Sequence, residues 1–247
     1  NLMTALADRF HLIAPDFPGF GFSEFPDKSK FEYSFKNIAT YISRFIEVIE
    51  LNSFTIYLHD YGSLIGLRVC ISHPGKIKGI IVQNGNAYAE GLGPQWDEIK
   101  DYWQNPTEEK KEKVYAFLSK EGVYTQYTWG LPEERSSTIS PEMPMLEWEL
   151  MKRAGNIDMQ YILNCDYPSN IDMFPAFQEY FRTHQPPALV VWGRLDPYYS
   201  LEEAYCYKRD LKNVRIRIID AAHMALETNF DEVLELVDNF LVSVQAP

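Results

Sequence analysis

The residues that could do chemistry lie where apolar, strand-like runs of this 247-residue chain end. Asp60 ends the run FTIYLHD, Asp196 follows PALVVWGRL, and His223 follows RIRIIDAA. Because the carboxyl ends of parallel strands share one edge of a sheet, these three side chains can meet although they are far apart in sequence. Their order along the chain is that of a nucleophile, an acid and a histidine base.

Asp60 lies at a strand–turn–helix corner. The residues around it push it out of the predicted sheet, next to the positive end of the following helix. Serine is the usual residue at such a corner, and it must lose a proton as it attacks. Aspartate is already ionised at neutral pH, since its reference pKa is about 3.9. It can displace a leaving group at saturated carbon, which forms an alkyl ester with the enzyme.

The other polar groups have complementary roles in this chemistry. His223 can deprotonate the water that hydrolyses the ester, while Asp196 orients His223 and stabilises its charged form. The backbone N–H of Tyr61 would supply half of an oxyanion hole. We expect the reaction to need no cofactor and no metal ion.

Each of these residues also has an ordinary structural interpretation. Asp60 could cap the helix that follows it. Asp196 precedes Pro197 and could be a turn residue, and His223 could be a buried histidine with its hydrogen bonds satisfied. The presence of all three in order, each after an apolar run, favours the catalytic interpretation.

Five short apolar runs predict strands, and several are apolar nearly throughout, which is typical of parallel strands covered on both faces. The runs are 10–16, 54–60, 77–84, 187–196 and 215–223. Apolar residues recur at three- and four-residue steps in 33–50 and 229–244, which predicts two helices with one buried face each. This alternation predicts an α/β fold with a mostly parallel sheet and helices on both faces.

The alternation breaks between about residues 90 and 180. This stretch is rich in Tyr, Trp, Glu, Met and Pro, and its pattern predicts helices, one of them at 107–119. An insertion between two strands of an open sheet would lie over the carboxyl ends of the strands, where ligands bind. We therefore predict a helical cap at 90–180 on a core formed by 1–89 and 181–247.

Four segments taken together resemble the α/β-hydrolases: APDFPGFGFSE (14–24), LHDYG (58–62), WGRLDP (192–197) and AAHMALE (221–227). Because Asp60 takes the place of the nucleophile, the chain is similar to the epoxide hydrolase and haloalkane dehalogenase branch. The resemblance implies the α/β-hydrolase fold with an inserted helical cap. It also implies Asp60, Asp196 and His223 as the catalytic residues.

Two residues near Asp60 depart from the family pattern. Relatives usually carry Trp after the nucleophile, and in dehalogenases its indole N–H helps to hold the departing halide; here the residue is Tyr61. The position two residues before the nucleophile is often small, whereas here it is Leu58.

The family's His-Gly-x-Pro loop, which supplies the other oxyanion donor, and the first three strands are absent from this chain. The resemblance thus implies roughly 35–50 further N-terminal residues in the natural protein. Without the third strand, two central strands would have unpaired edges. We expect the 247-residue chain alone to be unstable or inactive, and a cooperative thermal transition together with turnover would contradict this.

The resemblance further implies that two cap tyrosines polarise the epoxide oxygen in epoxide hydrolases. The stretch VYTQYTWG (123–130) predicts Tyr127 as one of them, while Trp129 could replace the missing halide-binding indole. The many cap tyrosines favour an epoxide hydrolase acting on a small hydrophobic substrate. The alternatives are haloalkane or haloacid dehalogenation, and a non-catalytic ligand-binding homologue.

Composition excludes some classes of partner. The formal net charge is −12, which argues against binding to nucleic acid or to an anionic membrane surface. No apolar run approaches the roughly 18 residues of a membrane span. The three cysteines show no CxxC spacing, so we expect reduced thiols in a cytoplasmic protein.

Overall fold

A computed structural model describes residues 1–245 and contains a four-stranded parallel sheet with the strand order β1-β2-β3-β4. The strands are β1 (Phe54–His59), β2 (Ile77–Gln83), β3 (Ala188–Gly193) and β4 (Val214–Ile219). The helices are α1 (Leu2–Leu6), α2 (Phe35–Val48), α3 (Tyr61–Ser72), α4 (Asp97–Gln104), α5 (Glu108–Phe117), α6 (Lys120–Thr128), α7 (Glu133–Ser136), α8 (Glu142–Met151), α9 (Asn156–Asp166), α10 (Pro168–Ile171), α11 (Phe174–His184), α12 (Glu202–Asp210), α13 (Ala225–Thr228) and α14 (Phe230–Gln245).

The sheet is covered on both faces, as the apolar runs predicted. Every residue of β3 is buried, and its register pairs Val190 with Val82 of β2 and with Ile216 of β4. One buried cluster joins α2, α3, α11 and α12 to one face, and a second joins α1 and α14 to the other. The predicted mostly parallel α/β fold is therefore confirmed.

The predicted strand at 10–16 is wrong. These residues form no regular element, and Ile13 is 37% exposed. A strand is stable only when a neighbour completes its hydrogen-bond ladder. Among residues 1–245, no strand lies beside this segment, and β1 forms one edge of the sheet. An apolar run therefore did not suffice to make a strand there.

The segment between β2 and β3 contains helices and short 3₁₀ turns. The predicted helix at 107–119 is observed as α5, which begins after Thr107, whose hydroxyl accepts a hydrogen bond from the Lys110 backbone N–H. The last helix of the segment, α11, contacts α3 and α12 of the sheet layer. That residues 90–180 form a separate cap stays a prediction. Within residues 1–245, no helix combines the length and the hydrophobicity that crossing a bilayer requires.

Leu58 is accommodated by a glycine on the helix that follows it. A Cβ added to Gly66 of α3 would lie 2.3 Å from Leu58 Cδ2 and 3.0 Å from Ile56 Cδ1. Leu58 is buried, with 1% exposure, so its side chain has little room to move away. The bulk of Leu58 is thus matched by a missing side chain on α3.

We predict that Gly66→Ala lowers the free energy of unfolding by about 1–3 kcal/mol, because the new methyl group overpacks the contact between β1 and α3. The urea midpoint measures this change. Gly75→Ala is the matched control, since a Cβ there has no heavy atom within 4 Å. Equal stability of the two variants would contradict the close approach of α3 to β1.

Candidate active site

Asp60 lies on a strained backbone between β1 and α3. Its φ of 46° and ψ of −128° fall in a region that non-glycine residues rarely adopt. The Asp60 carbonyl accepts hydrogen bonds from the Ser63 backbone N–H at 2.9 Å and from Ser63 Oγ at 2.6 Å. The carboxylate makes no capping hydrogen bond to α3 and is 39% exposed. Helix capping therefore does not explain this aspartate.

The three predicted catalytic side chains lie together at the carboxyl edge of the sheet. His223 Nδ1 lies 2.9 Å from Asp196 Oδ2, and His223 Nε2 lies 3.8 Å from Asp60 Oδ1. The side chain of Asp196 is fully buried and that of His223 is 3% exposed, so Asp60 is the most accessible of the three. This arrangement leaves a carboxylate facing the outside and an imidazole behind it.

Asp196 is held by three donors besides His223. The backbone N–H groups of Tyr198 and Tyr199 donate to Oδ1 at 2.7 and 3.3 Å, and Asn84 Nδ2 donates to Oδ2 at 2.6 Å. Asn84 also accepts a hydrogen bond from the Gly193 backbone N–H at 2.9 Å. It thus joins the ends of β2 and β3 and orients the acid. Sequence reasoning missed Asn84, although it follows an apolar strand as Asp60 does.

The charges around His223 favour its protonated form. Burial by itself would lower the pKa of His223, but the negative charge of Asp196, the hydrogen bond to it and the charge of Asp60 together raise that pKa above its ordinary value. The neighbouring His59 ring behaves in the opposite way. Burial and the positive charge of His223 lower the pKa of His59 to about 4, so it stays neutral. His59 Nε2 lies 3.1 Å from the His223 carbonyl oxygen and helps to hold the histidine loop.

Two tyrosines that follow Asp196 bring hydroxyl groups to the site. Tyr199 donates its O–H to Asp60 Oδ1 at 3.0 Å. The Tyr198 ring lies 4.8 Å from the His223 ring, and its buried hydroxyl has no hydrogen-bond partner among residues 1–245. Burial and the charge of Asp60 raise the pKa of both phenols, which keeps them protonated. Sequence reasoning searched the cap for such tyrosines and missed these two, which are marked by their position directly after the acid.

The predicted substrate-binding residues contact other side chains of the cap segment and of the loop after Asp196. The Tyr127 hydroxyl donates to the Glu147 carboxylate at 2.8 Å. Trp129 is 44% exposed, and its ring lies 5.5 Å from that of Tyr198. Tyr61 begins α3, and a first helical residue has no intrahelical acceptor for its N–H. The substrate-binding and oxyanion roles of these residues stay predictions.

Within residues 1–245, His, Cys, Asp and Glu side chains form no group of three or more that could hold a metal ion.

The family model of the alpha/beta hydrolase fold matches residues 1–230, and the chain belongs to this family. An uncharacterized hydrolase, YNR064C of Saccharomyces cerevisiae, is 37% identical over 239 residues, which cover 95% of this chain and 81% of that protein. A haloalkane dehalogenase of Mycolicibacterium paratuberculosis is 33% identical over 86 residues, which cover 34% of this chain and 28% of that protein.

Solved structures show the same fold. The epoxide hydrolase CorEH superposes with a TM-score of 0.75 at 15% identity, covering 98% of this chain and 86% of that one. An esterase from Thermogutta terrifontis superposes with a TM-score of 0.73 at 15% identity, covering 99% of this chain and 84% of that one. At these identities the likeness concerns the fold alone. The family model and the 37% identical hydrolase confirm the predicted α/β-hydrolase superfamily.

We predict that the pKa of the His223 imidazole, measured by an NMR pH titration, is raised above that of a free imidazole, and that Asp196→Asn lowers it by removing a charge and a charge-assisted hydrogen bond. Because the native pKa is raised, the neutral imidazole is present above that pKa and is lost as the pH falls through it. His59, whose pKa is lowered to about 4, titrates well below His223 in the wild-type spectra and is thereby distinguished from it. An unchanged His223 titration in Asp196→Asn would contradict this electrostatic account.

Proposed function

We propose that this protein is an epoxide hydrolase in which Asp60 is the nucleophile. The observation that carries the proposal is an accessible carboxylate with a tyrosine hydroxyl 3.0 Å from one of its oxygens and His223 Nε2 3.8 Å away. A carboxylate attacks carbon, a phenol stabilises a developing alkoxide, and an imidazole activates water. All three groups that epoxide opening and ester hydrolysis need thus meet at one point.

The first step joins the substrate to the enzyme. Asp60 attacks a ring carbon, and the C–O bond breaks with its electron pair going to oxygen. The oxygen takes a proton from Tyr199, which leaves a hydroxyalkyl ester on Asp60 and a phenolate on Tyr199. The raised pKa of Tyr199 keeps its proton in place until an alkoxide forms, since an alkoxide is the stronger base.

The second step releases the diol. His223 removes a proton from water, and the hydroxide attacks the ester carbonyl of Asp60. The expelled alkoxide takes the proton from His223, and the resulting Asp60 carboxylic acid returns its proton to Tyr199 across their 3.0 Å contact. Asp196 stabilises the imidazolium through its hydrogen bond to Nδ1. The sum is an epoxide plus water giving a diol, with every enzyme group restored.

Hydroxyl donors favour an epoxide over a halide. The oxygen of an opened epoxide stays in the product and needs a proton, which a phenol can give; a halide leaves as an ion. The unpartnered hydroxyl of Tyr198 is a further donor for a substrate oxygen. The rings of Trp129 and Phe117 pack near Tyr198, which supports a small hydrophobic substrate.

We also propose that the helices of residues 90–180 cover this site as a cap.

Haloalkane dehalogenation is the second candidate. Trp103 carries a buried Nε1 with no hydrogen-bond partner within residues 1–245, and an indole N–H of this kind could bind a halide. Curated relatives named haloalkane dehalogenases support it. Both candidates use the same carboxylate and differ in the leaving group.

We predict that His223→Gln accumulates the ester, because no base remains to activate water. With styrene oxide the intact mass should rise by the mass of one substrate molecule, and peptide mapping should locate the adduct on Asp60. The experiment uses the natural full-length protein. Asp60→Asn in the same background is the control and should show no adduct.

The same assay separates the candidates. If bromoalkanes form the adduct and release halide while epoxides form none, the protein is a dehalogenase and not an epoxide hydrolase. Absence of an adduct with either class would overturn both. Ligand binding that is unaffected by Asp60→Asn, without turnover, would favour a non-catalytic homologue.

A further inference from the structure

A chain of hydrogen-bonding oxygens leads from Asp60 into the protein interior. It continues from the Tyr199 hydroxyl to the Tyr167 hydroxyl, 3.2 Å away, and from Tyr167 to Asn86 Oδ1 at 3.1 Å. Tyr167 and Tyr199 are both 1% exposed, and Asn86 is fully buried. Bulk water therefore does not supply partners for these groups.

The orientation of the Asn86 amide is set by acceptors on its other side. Asn86 Nδ2 donates to Glu203 Oε2 at 2.7 Å and to the Tyr88 carbonyl oxygen at 3.0 Å. The other oxygen of Glu203 accepts from the backbone N–H groups of Ala87 and Tyr88. Turning the amide around would bring Oδ1 against these two acceptors. The amide oxygen consequently faces Tyr167.

The number of available protons fixes the direction of these hydrogen bonds. It has three oxygen–oxygen contacts but only two hydroxyl protons, and both of its ends, the Asp60 carboxylate and Asn86 Oδ1, only accept. Tyr167 must donate to Asn86, because otherwise a buried amide oxygen would lose its hydrogen bond, which costs about 1–3 kcal/mol. The Tyr199 proton remains free to point at Asp60 or at a substrate oxygen.

We propose that Asn86, oriented by Glu203, is a positioning residue that holds the Tyr167 proton away from Asp60, so that Tyr199 is the member of the tyrosine pair that donates to the substrate oxygen. This inference rests on the proposed epoxide opening. It makes the two neighbouring tyrosines unequal although their hydroxyls lie only 3.2 Å apart. Asn86 is also linked to Asp60 through Ser63. The Asn86 backbone N–H donates to Ser63 Oγ at 3.0 Å, and the Ser63 hydroxyl donates to the Asp60 carbonyl oxygen.

The test asks whether freeing the Tyr167 proton rescues an enzyme that lacks the Tyr199 hydroxyl. Asn86→Leu removes the acceptor at nearly the same side-chain volume. The rate of alkyl-enzyme formation with styrene oxide is measured in single turnovers of the full-length protein, with His223→Gln in every variant so that the ester accumulates. Burial raises the pKa of Glu203 to about 8, so the reactions are run at pH 9, where this carboxylate is ionised.

Tyr199→Phe should slow alkylation by about tenfold or more, and Tyr167→Phe should slow it less. Asn86→Leu combined with Tyr199→Phe should alkylate about threefold or more faster than Tyr199→Phe alone, because Tyr167 can then donate to the substrate. A residue with a merely structural role would lower the rate further. A double variant no faster than Tyr199→Phe would overturn the proposal.

Glu203→Gln is the second variant, and it keeps the test valid should Asn86→Leu fail to fold. Its amide nitrogen would face Asn86 Nδ2 and drive that amide to turn, so it should rescue Tyr199→Phe in the same direction. Absence of rescue in a folded Glu203→Gln protein would overturn the role of Glu203.

Asp210→Asn is the matched control. It replaces another buried carboxylate of α12, which accepts hydrogen bonds from Tyr88 and Arg182, and it should give no rescue. A His223→Gln protein with both tyrosines intact that forms no adduct would instead refute the epoxide hydrolase itself.

Discussion

The position of one carboxylate, held outside the sheet on a strained backbone, determines what the rest of this site can do. Asp60 has a positive φ because β1 must turn sharply into α3, and the Ser63 side chain and backbone hold its carbonyl in that turn. The strain costs on the order of 1–3 kcal/mol, and the packed strand and helix on either side stabilise it. A charged side chain thereby stays accessible while its backbone is rigid.

The electrostatic environment then distinguishes the two carboxylates beside His223. Two carboxylates flank one imidazole, and both raise the pKa of His223 against the effect of burial. Esterification of Asp60 would remove one of these charges, so the imidazole would become easier to keep neutral when it must act as a base. The second carboxylate, Asp196, remains buried and fully hydrogen-bonded. The same residue type is thus an accessible carboxylate in one place and a buried hydrogen-bond partner of the imidazole in another.

Sequence reasoning located the main elements and predicted that Asp60, Asp196 and His223 meet, for a simple physical reason. Strand–helix alternation and the polar residue at the end of each apolar run depend on local patterns, and parallel strands bring those ends to one edge. The same reasoning failed at 10–16, because a strand depends on a neighbour that local hydrophobicity does not reveal. It did not anticipate that Tyr199 donates a hydrogen bond to Asp60, while the substrate-binding role of Tyr127 stays a prediction.

The sequence by itself determined the family, the parallel sheet and the identity of the residues that meet at its edge, since these follow from short motifs and from residue periodicity. Only the tertiary structure decided which groups hold them: Asn84 on Asp196, and Glu203 on Asn86 across more than a hundred residues of chain. Such contacts form only when the side chains are oriented so that donor and acceptor atoms lie within hydrogen-bond distance. Distances of that kind arise from packing between distant elements, and no local pattern in the chain records them.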